Sequence, residues 1–259
     1  MSNQIVTTSS VPRLISIAVS HYCEKVRWAL EWLKIPYVEE SHVPLFHRFA
    51  TREYGSSSVP ILVTEADTFT DSTDILHHLN TLAAEGRYLY PTDPGLCREV
   101  EELEELFDTK LGVGIRGWAY FYRLDDREAM RRVWCKGTPW VEQVGFAIAF
   151  PIMRRLVQQS LNITAASAAN SLQEIKQIFD TVNQQLADNR PYLVGDKLSA
   201  ADITFAALAA PALLPPEHPV MPSQLDGIKS EMATTIKELR ATPAGMYALR
   251  LYREQRHFS

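Results

Sequence analysis

Residues 20–30, SHYCEKVRWAL, mark the point where a strand pattern gives way to a helical one. The preceding residues 14–19 form a short apolar run, and residues 22–34 carry apolar side chains at helical spacing. Ser20 stands at the start of this helix, where a serine hydroxyl commonly caps the first turn. The free amides of that turn, together with the positive end of the helix dipole, also attract anions. These residues alone therefore leave two interpretations of Ser20 open, a plain helix cap and part of an anion site.

Residues 12–88 alternate between strand and helix patterns on both sides of this segment. Strands are predicted over residues 14–19, 37–41, 59–64 and 68–70, with a second helix starting at Asp71 or Ser72. The order is strand, helix, strand, then strand, strand, helix. This order predicts a small mixed sheet made from a crossover unit and a hairpin, which is an α/β first domain.

Strand patterns largely disappear after a proline-containing linker at residues 89–94. We expect residues 95–259 to form an all-helical domain, with a long segment at 111–162. The most complete local signal is LSAADI at residues 198–203, where Ser199 and Asp202 form a capping box at a helix start. Five prolines within residues 211–222 predict a loop between helices.

Composition restricts the kinds of partner and the compartment. The chain has 259 residues, 46% of them hydrophobic, and a net charge of -5, so the sequence predicts a folded protein that does not bind nucleic acid. Three cysteines without paired spacing and the lack of a secretory pattern at residues 1–11 favour the cytoplasm. The apolar run at residues 144–153 is about half the length needed to cross a bilayer, so no membrane span is predicted.

Four features resemble the cytosolic glutathione S-transferase family and occur in the family's order. They are the segment at residues 20–30, the Val59–Pro60 step, the Asp71–Ser72 pair and the segment LSAADITFAAL at residues 198–208. The resemblance covers nearly the whole chain and is looser over residues 111–162. It implies a thioredoxin-like domain followed by an all-helical domain, glutathione as co-substrate without a metal, and a homodimer.

The resemblance also implies roles at the start of the first helix. Ser20 matches the first position of the family's C-x-x-C-like motif, where its hydroxyl would donate to the sulfur of glutathione. Cys23 matches the second position and is expected to be a packing residue, with a redox nucleophile as the alternative. Tyr22 is expected to pack, because the tyrosine used by one branch of the family lies where this chain has Ala18 and Val19.

Further residues are assigned to glutathione by the same resemblance. Val59 and Pro60 match the cis-proline step whose backbone pairs with the cysteinyl part of the peptide. Asp71 and Ser72 match the pair that holds the glutamyl ammonium and carboxylate. The glycyl carboxylate is expected at His47 or Arg48; Trp118 and Tyr122 are expected to line the pocket for a hydrophobic electrophile.

The function implied is a transferase that stabilises the glutathione thiolate and conjugates it to hydrophobic electrophiles, as in detoxification. Two alternatives remain open from the sequence. One is a glutathione-dependent thiol transferase or reductase working through Cys23. The other is a binding protein that keeps the fold without turnover, since a fold does not determine a function.

Overall fold

The first half of the chain folds around a four-stranded sheet. In the computed structural model, which describes residues 11–222 and 227–256, the strands are β1 (Arg13–Ser16), β2 (Val38–Ser41), β3 (Ile61–Val63) and β4 (Thr68–Phe69). Their order in the sheet is β2-β1-β3-β4. β1 runs parallel to β2, while β3 is antiparallel to both β1 and β4. This arrangement confirms the predicted crossover unit and hairpin.

Three helices accompany the sheet: α1 (His21–Trp32), α2 (His47–Thr51) and α3 (Ser72–Thr81). α1 connects the parallel strands, as a crossover helix does. Its inward side chains, including Val26, Trp28 and Leu30, are fully buried. α1 packs against α3 and, across the chain, against a helix of the second half. The first turn of α1 is consequently held between the two halves.

The second half is helical throughout the described residues. Its helices are α4 (Pro94–Leu106), α5 (Val113–Arg123), α6 (Arg127–Trp134), α7 (Trp140–Ser160), α8 (Ala165–Gln185), α9 (Ala200–Leu213), α10 (Ser230–Arg240) and α11 (Pro243–Gln255). A π-helical turn, Phe107–Gly112, joins α4 to α5 without a break. The long segment at residues 111–162 thus supplies α5, α6 and α7.

The capping box predicted at residues 199–202 is present and begins α9, the most buried helix. The Asp202 carboxylate accepts from the Ser199 main-chain N–H at 2.7 Å and from the Leu193 main-chain N–H at 2.8 Å. It also accepts from the Tyr247 hydroxyl. The helix continues through Pro211 to Leu213, so the predicted loop begins later than expected. Burial of nearly the whole helix outweighs the hydrogen bond that Pro211 does not make.

A smaller apolar core lies beside the main one and is built from the long segment. It combines residues of α6 and α7, among them Met130, Trp134, Phe146 and Phe150, with Val43 from the first half. Because Val43 belongs to the loop after β2, this cluster fixes α6 and α7 against the sheet domain. The long segment therefore forms a wall facing the loops of the first half.

Two buried ion networks hold α1 in place. The Lys25 ammonium lies 2.6 Å from a carboxylate oxygen of Glu104 and 2.6 Å from one of Asp108, joining α1 to α4 and the π-helical turn. The Glu24 carboxylate accepts from the Arg256 guanidinium at 2.8 Å, joining α1 to the end of α11. Buried charges are tolerated only when they are paired, so both networks restrict the position of α1.

Candidate active site

A cavity of about 330 Å³ opens between the sheet domain and the helical domain. From the first half it is lined by the start of α1, by the loop around α2 and by Val59. From the second half it is lined by one face of α5 and by residues of α6, α7 and the chain after α9. A pocket with one polar wall and one largely apolar wall is typical of a ligand site.

Ser20 caps α1 and lines this cavity. Its Oγ accepts from the main-chain N–H of Cys23 at 3.4 Å, and its backbone is extended, as an N-cap requires. A serine hydroxyl has one hydrogen to donate and two lone pairs, so accepting this bond leaves the hydrogen available. The side chain is half-buried, on the cavity wall. Cap and donor are therefore compatible roles for Ser20.

Cys23 lies one turn inside α1 and has no exposed surface. Burial raises the pKa of its thiol, which disfavours the thiolate that a redox nucleophile needs. It is also outside the set of described residues that line the cavity. The geometry favours the packing interpretation of Cys23.

His21 and Tyr22 bind the start of α1 to the π-helical turn. His21 Nε2 donates to the main-chain oxygen of Gly112 at 3.1 Å, and the Tyr22 hydroxyl donates to that of Asp108 at 2.6 Å. Burial raises the pKa of Tyr22 to about 12, so its hydroxyl stays protonated and committed to this carbonyl. Gly112 leaves room for the ring, since a Cβ there would lie 2.5 Å from the Tyr22 hydroxyl oxygen. Tyr22 is thus a structural contact of α1, in line with the packing role expected for it.

The Val59–Pro60 peptide bond is cis. Val59 lines the cavity just before β3, whereas Pro60 is buried beneath it. In the described part of the chain, no main-chain hydrogen bond involves Val59. An extended peptide can therefore pair with this backbone as an added strand does.

Asp71 and Ser72 begin α3. Asp71 Oδ1 accepts from the Thr73 main-chain N–H at 2.8 Å, which makes Asp71 the N-cap, and Ser72 is buried at the first helical position. Neither lines the cavity itself. The Asp71 charge nevertheless acts on the Tyr22 hydroxyl, so the start of α3 lies near the start of α1.

His47 and Arg48 both line the cavity but differ in what they can still bind. His47 Nδ1 accepts from the Leu45 main-chain N–H at 3.1 Å, and its Nε2 donates to the main-chain oxygen of Ser57 at 3.1 Å. Both ring nitrogens are already used, so His47 holds the loop rather than offering a free donor. The Arg48 guanidinium is exposed and makes no ion pair with any described residue. Of the two residues predicted to bind a carboxylate, Arg48 is the one whose side chain has donors available.

The prediction that Trp118 and Tyr122 line the pocket needs correction. Trp118 is 1% exposed in the main core, and Tyr122 packs on the outside of that core. Neither is among the described residues that line the cavity. The apolar wall is formed instead by other residues, namely Ala119, Tyr120, Met130, Val133, Trp134, Val157, Leu161, Leu214, Met221 and Met232.

Sequence reasoning missed the two arginines on the cavity face of α5. Arg116, Ala119, Tyr120 and Arg123 follow one another at helical spacing and all line the cavity. That spacing was visible in the sequence, but only the fold shows which face of α5 meets the cavity. Arg116 lies close enough for its charge to lower the pKa of His21, which burial has already reduced, to about 3.

Comparison with known proteins agrees with this architecture. Residues 14–87 match the model of the glutathione S-transferase N-terminal domain, and residues 165–227 match that of the C-terminal domain. No curated protein sequence matches the chain. The intervening residues 88–164 match neither domain model, which is where the long segment lies.

Several solved structures share the fold. A glutathione S-transferase from Methylobacterium radiotolerans, in complex with glutathione sulfonate, is 21% identical, with a TM-score of 0.54 over 92% of this chain and 94% of that chain. The β-etherase LigF from a Sphingobium strain is 18% identical, with a TM-score of 0.59 over 93% and 99%. Glutathione transferase F2 from Populus trichocarpa is 11% identical, with a TM-score of 0.56 over 93% and 99%.

Residues 11–222 and 227–256 contain neither a metal-binding cluster nor a membrane-spanning helix. No cluster of three or more His, Cys, Asp or Glu side chains has the arrangement of a metal site. No helix there is long and apolar enough to span a bilayer.

The matches to the two domain models determine the family of this chain. Together they match just over half of the 259 residues, in the order that the fold requires. The sheet domain, the cis Val59–Pro60 bond and the capped start of α1 stand in the matched N-terminal part. The chain belongs to the glutathione S-transferase family.

Proposed function

We propose that this protein is a glutathione transferase that stabilises the thiolate of bound glutathione and adds it to hydrophobic electrophiles. The observation that carries the proposal is the position of Ser20. It caps α1 with its lone pair and keeps a hydroxyl hydrogen for a ligand in the cavity. A sulfur anion there would also meet the positive end of the α1 dipole.

Glutathione would lie along the first half of the cavity. Its cysteinyl backbone would pair with Val59, its glutamyl end would reach Asp71 and Ser72 at the start of α3, and its glycyl carboxylate would meet Arg48. Each assignment matches a charge or hydrogen-bonding group with its complement. The cysteinyl sulfur would then lie beside Ser20.

Thiolate stabilisation accounts for part of the rate. A thiol with a pKa of about 8.5 is roughly 3% ionised at pH 7, and lowering that pKa by about two units raises the fraction to roughly three quarters. The nucleophile concentration would rise on the order of twentyfold. Further acceleration would come from holding the electrophile against the sulfur.

The reaction itself needs little from the protein beyond this. The thiol proton leaves to solvent, the thiolate forms a carbon–sulfur bond, and the electrophile either loses its leaving group or takes a proton after addition. The half-buried residues of the apolar wall, Ala119, Tyr120 and Val133, would contact the electrophile. Burial of such groups is favourable by about 25 cal/mol per Å².

The redox alternative loses support from Cys23, because the residue is fully buried and outside the cavity lining. Cys97 and Cys135 are free as well, but neither lines the cavity. A thiol transferase would need one of them at the sulfur of glutathione. Conjugation needs no cysteine of the protein.

The test is conjugation of glutathione to 1-chloro-2,4-dinitrobenzene, followed by absorbance of the product. We expect turnover above the spontaneous rate in the wild type and loss of most of it in Ser20→Ala. Thr164→Ala, which removes the N-cap of α8 at a residue outside the described cavity lining, serves as the matched control and should retain activity. Full turnover in Ser20→Ala would remove Ser20 from the mechanism. Ligand binding without turnover, for this and other electrophiles, would favour the binding-protein alternative.

We also propose that the protein is a cytoplasmic homodimer. The family resemblance is the support for the dimer, and the unpaired cysteines are the support for a reducing compartment. Light scattering on the purified protein would measure the mass of the assembly. A monomer at micromolar concentration would contradict the dimer.

A further inference from the structure

The electrophile side of the cavity has a strong charge bias. Arg116 and Arg123 line it from α5, and none of the described lining residues is Asp or Glu. Neither guanidinium makes a hydrogen bond or ion pair with any residue in the described ranges. Both side chains are half-buried. Partly desolvated cations without partners are costly for the protein alone and become favourable when an anion joins them.

The two arginines belong to one surface. Positions 116, 119, 120 and 123 recur at helical spacing, so both guanidinium groups stand on one face of α5 with Ala119 and Tyr120 between them. The residues of α6 that line the cavity are all apolar, namely Ala129, Met130, Val133 and Trp134. A ligand that fills this space would place a ring or hydrocarbon on the apolar residues and a negative group on α5.

Arg116 is close to the reacting end of the cavity. Burial lowers the pKa of His21, and the Arg116 charge lowers it further; His21 directly follows Ser20. Burial raises the pKa of the Tyr120 hydroxyl, and the Arg116 charge acts in the opposite direction. The Arg116 charge therefore acts both on the start of α1 and on Tyr120 of the apolar wall.

Glutathione does not account for these cations under the proposed function. Its glycyl carboxylate is assigned to Arg48 and its glutamyl carboxylate to the start of α3, both on the sheet domain. Arg116 and Arg123 lie on the helical domain, on the opposite wall. Both arginines are therefore available to bind the second substrate.

We propose that the second substrate is an apolar electrophile that carries a carboxylate or another anionic group, bound by Arg116 with Arg123 as the supporting cation. The inference that this ligand reacts as an electrophile rests on the proposed function. The anion site itself does not depend on turnover. Arginine binds carboxylates with two parallel hydrogen bonds, which gives both orientation and affinity.

The test compares an acid with its neutral analogue. Binding of 2-naphthylacetate and of 2-naphthylacetamide is measured by calorimetry at pH 7 with glutathione present; the acid is ionised and the amide is not, while the ring is shared. We expect the wild type to bind the acid at least tenfold more tightly. Arg116→Gln should bring the two dissociation constants together, and Arg123→Gln should reduce the difference in part. Arg155→Gln changes an exposed arginine on α7 outside the cavity and should leave the difference intact.

Three results would overturn the inference. Equal binding of acid and amide by the wild type would show that no anion site exists. Equal weakening of both ligands in Arg116→Gln would show that the residue only shapes the wall. A rise in the dissociation constant of glutathione in Arg116→Gln, as large as that of the acid, would assign the cation to the peptide.

Failure of the proposed function is distinguishable from failure of this inference. If the protein prefers the acid but conjugates no electrophile, the anion site is supported and the transferase function is contradicted. If the protein conjugates a neutral electrophile but shows no preference for the acid, the transferase function is supported and the anion site is contradicted.

Discussion

Ser20 Oγ accepts a hydrogen bond from the main-chain N–H of Cys23, so the two residues of the motif are bonded to each other while only the first lines the cavity. This relationship separates their roles. Ser20 combines a cap with an available donor, and Cys23 contributes a buried side chain and an amide.

Loss of the Ser20 cap should have a measurable cost to stability. Ser20→Ala removes the acceptor for the Cys23 amide, and we expect the free energy of unfolding to fall by about 0.5–2 kcal/mol. Urea denaturation measures the change. Thr164→Ala removes a comparable cap on α8 and should show a loss of similar size. A Ser20→Ala protein that does not fold would mean that its lost activity says nothing about chemistry.

Cys23 should be dispensable for activation of the thiol. We expect Cys23→Ala to keep the glutathione conjugation rate within about twofold of the wild type, because the sulfur is fully buried and outside the described cavity lining. Cys97→Ala is the control for a half-buried thiol elsewhere. A mixed disulfide with glutathione on the Cys23 peptide, detected by mass spectrometry, would revive the redox alternative.

Lys25 should be among the most sensitive positions in the chain. Lys25→Met leaves Glu104 and Asp108 buried without their cation, and we expect a loss of about 3–5 kcal/mol in the free energy of unfolding. The exposed pair Lys176 and Glu238, 3.4 Å apart, provides the contrast. Lys176→Met should cost less than about 1 kcal/mol. Similar small losses in both variants would show that the buried network does not hold α1.

The free energy of unfolding should decrease as the pH is lowered, because His21 has a lower pKa in the folded chain than in the unfolded chain. Burial, reinforced by Arg116, lowers its pKa to about 3 in the folded chain against roughly 6.5 in the unfolded chain. The unfolded state therefore binds more protons between these values. The stabilisation is complete above about pH 6.5 and declines as pH falls toward 3, with a slope of at most about 1.4 kcal/mol per pH unit.

His21→Gln isolates this effect, because glutamine can still donate to Gly112 but does not titrate. We expect a flatter dependence of unfolding free energy on pH between about 4.5 and 6.5. His218, whose pKa burial lowers to about 4, contributes a slope of the same sign and remains in the variant. An unaltered slope in His21→Gln would contradict the assignment.

Arg48 should matter for glutathione affinity and little for stability. Arg48→Gln removes the cation proposed for the glycyl carboxylate, and we expect the dissociation constant of glutathione to rise about tenfold, which corresponds to about 1.4 kcal/mol. Arg52→Gln, a nearby exposed arginine outside the cavity, should bind normally. Unchanged affinity in Arg48→Gln would leave the glycyl carboxylate without a ligand.

Local signals explain why much of the fold was predictable. The strand order and the start of α9 depend on patterns within a few residues, such as the capping box of Ser199 and Asp202. The loop expected from Pro211 onward was wrong over its first residues, because α9 is buried on all sides and packing overrides one unfavourable proline. Tertiary packing of this kind leaves no short-range pattern.

The site was predictable only in part for the same reason. Ser20 at the helix start and the Val59–Pro60 step are local features that the sequence carries. Arg116 becomes part of the site only because α5 turns that face to the cavity, and Trp118, two positions later, turns into the core. Aromatic content alone could not distinguish these two faces.

The most direct test of the central claim is the ionisation of bound glutathione. The ultraviolet absorbance of the thiolate is followed across pH in the wild type and in Ser20→Ala, at saturating glutathione, with Thr164→Ala as the matched cap control. We predict an apparent thiol pKa about two units below the roughly 8.5 of the free thiol in the wild type and the control, rising toward the free value in Ser20→Ala. A bound thiol that titrates like free glutathione in the wild type would contradict the account, and Ser20 would then be a helix cap alone.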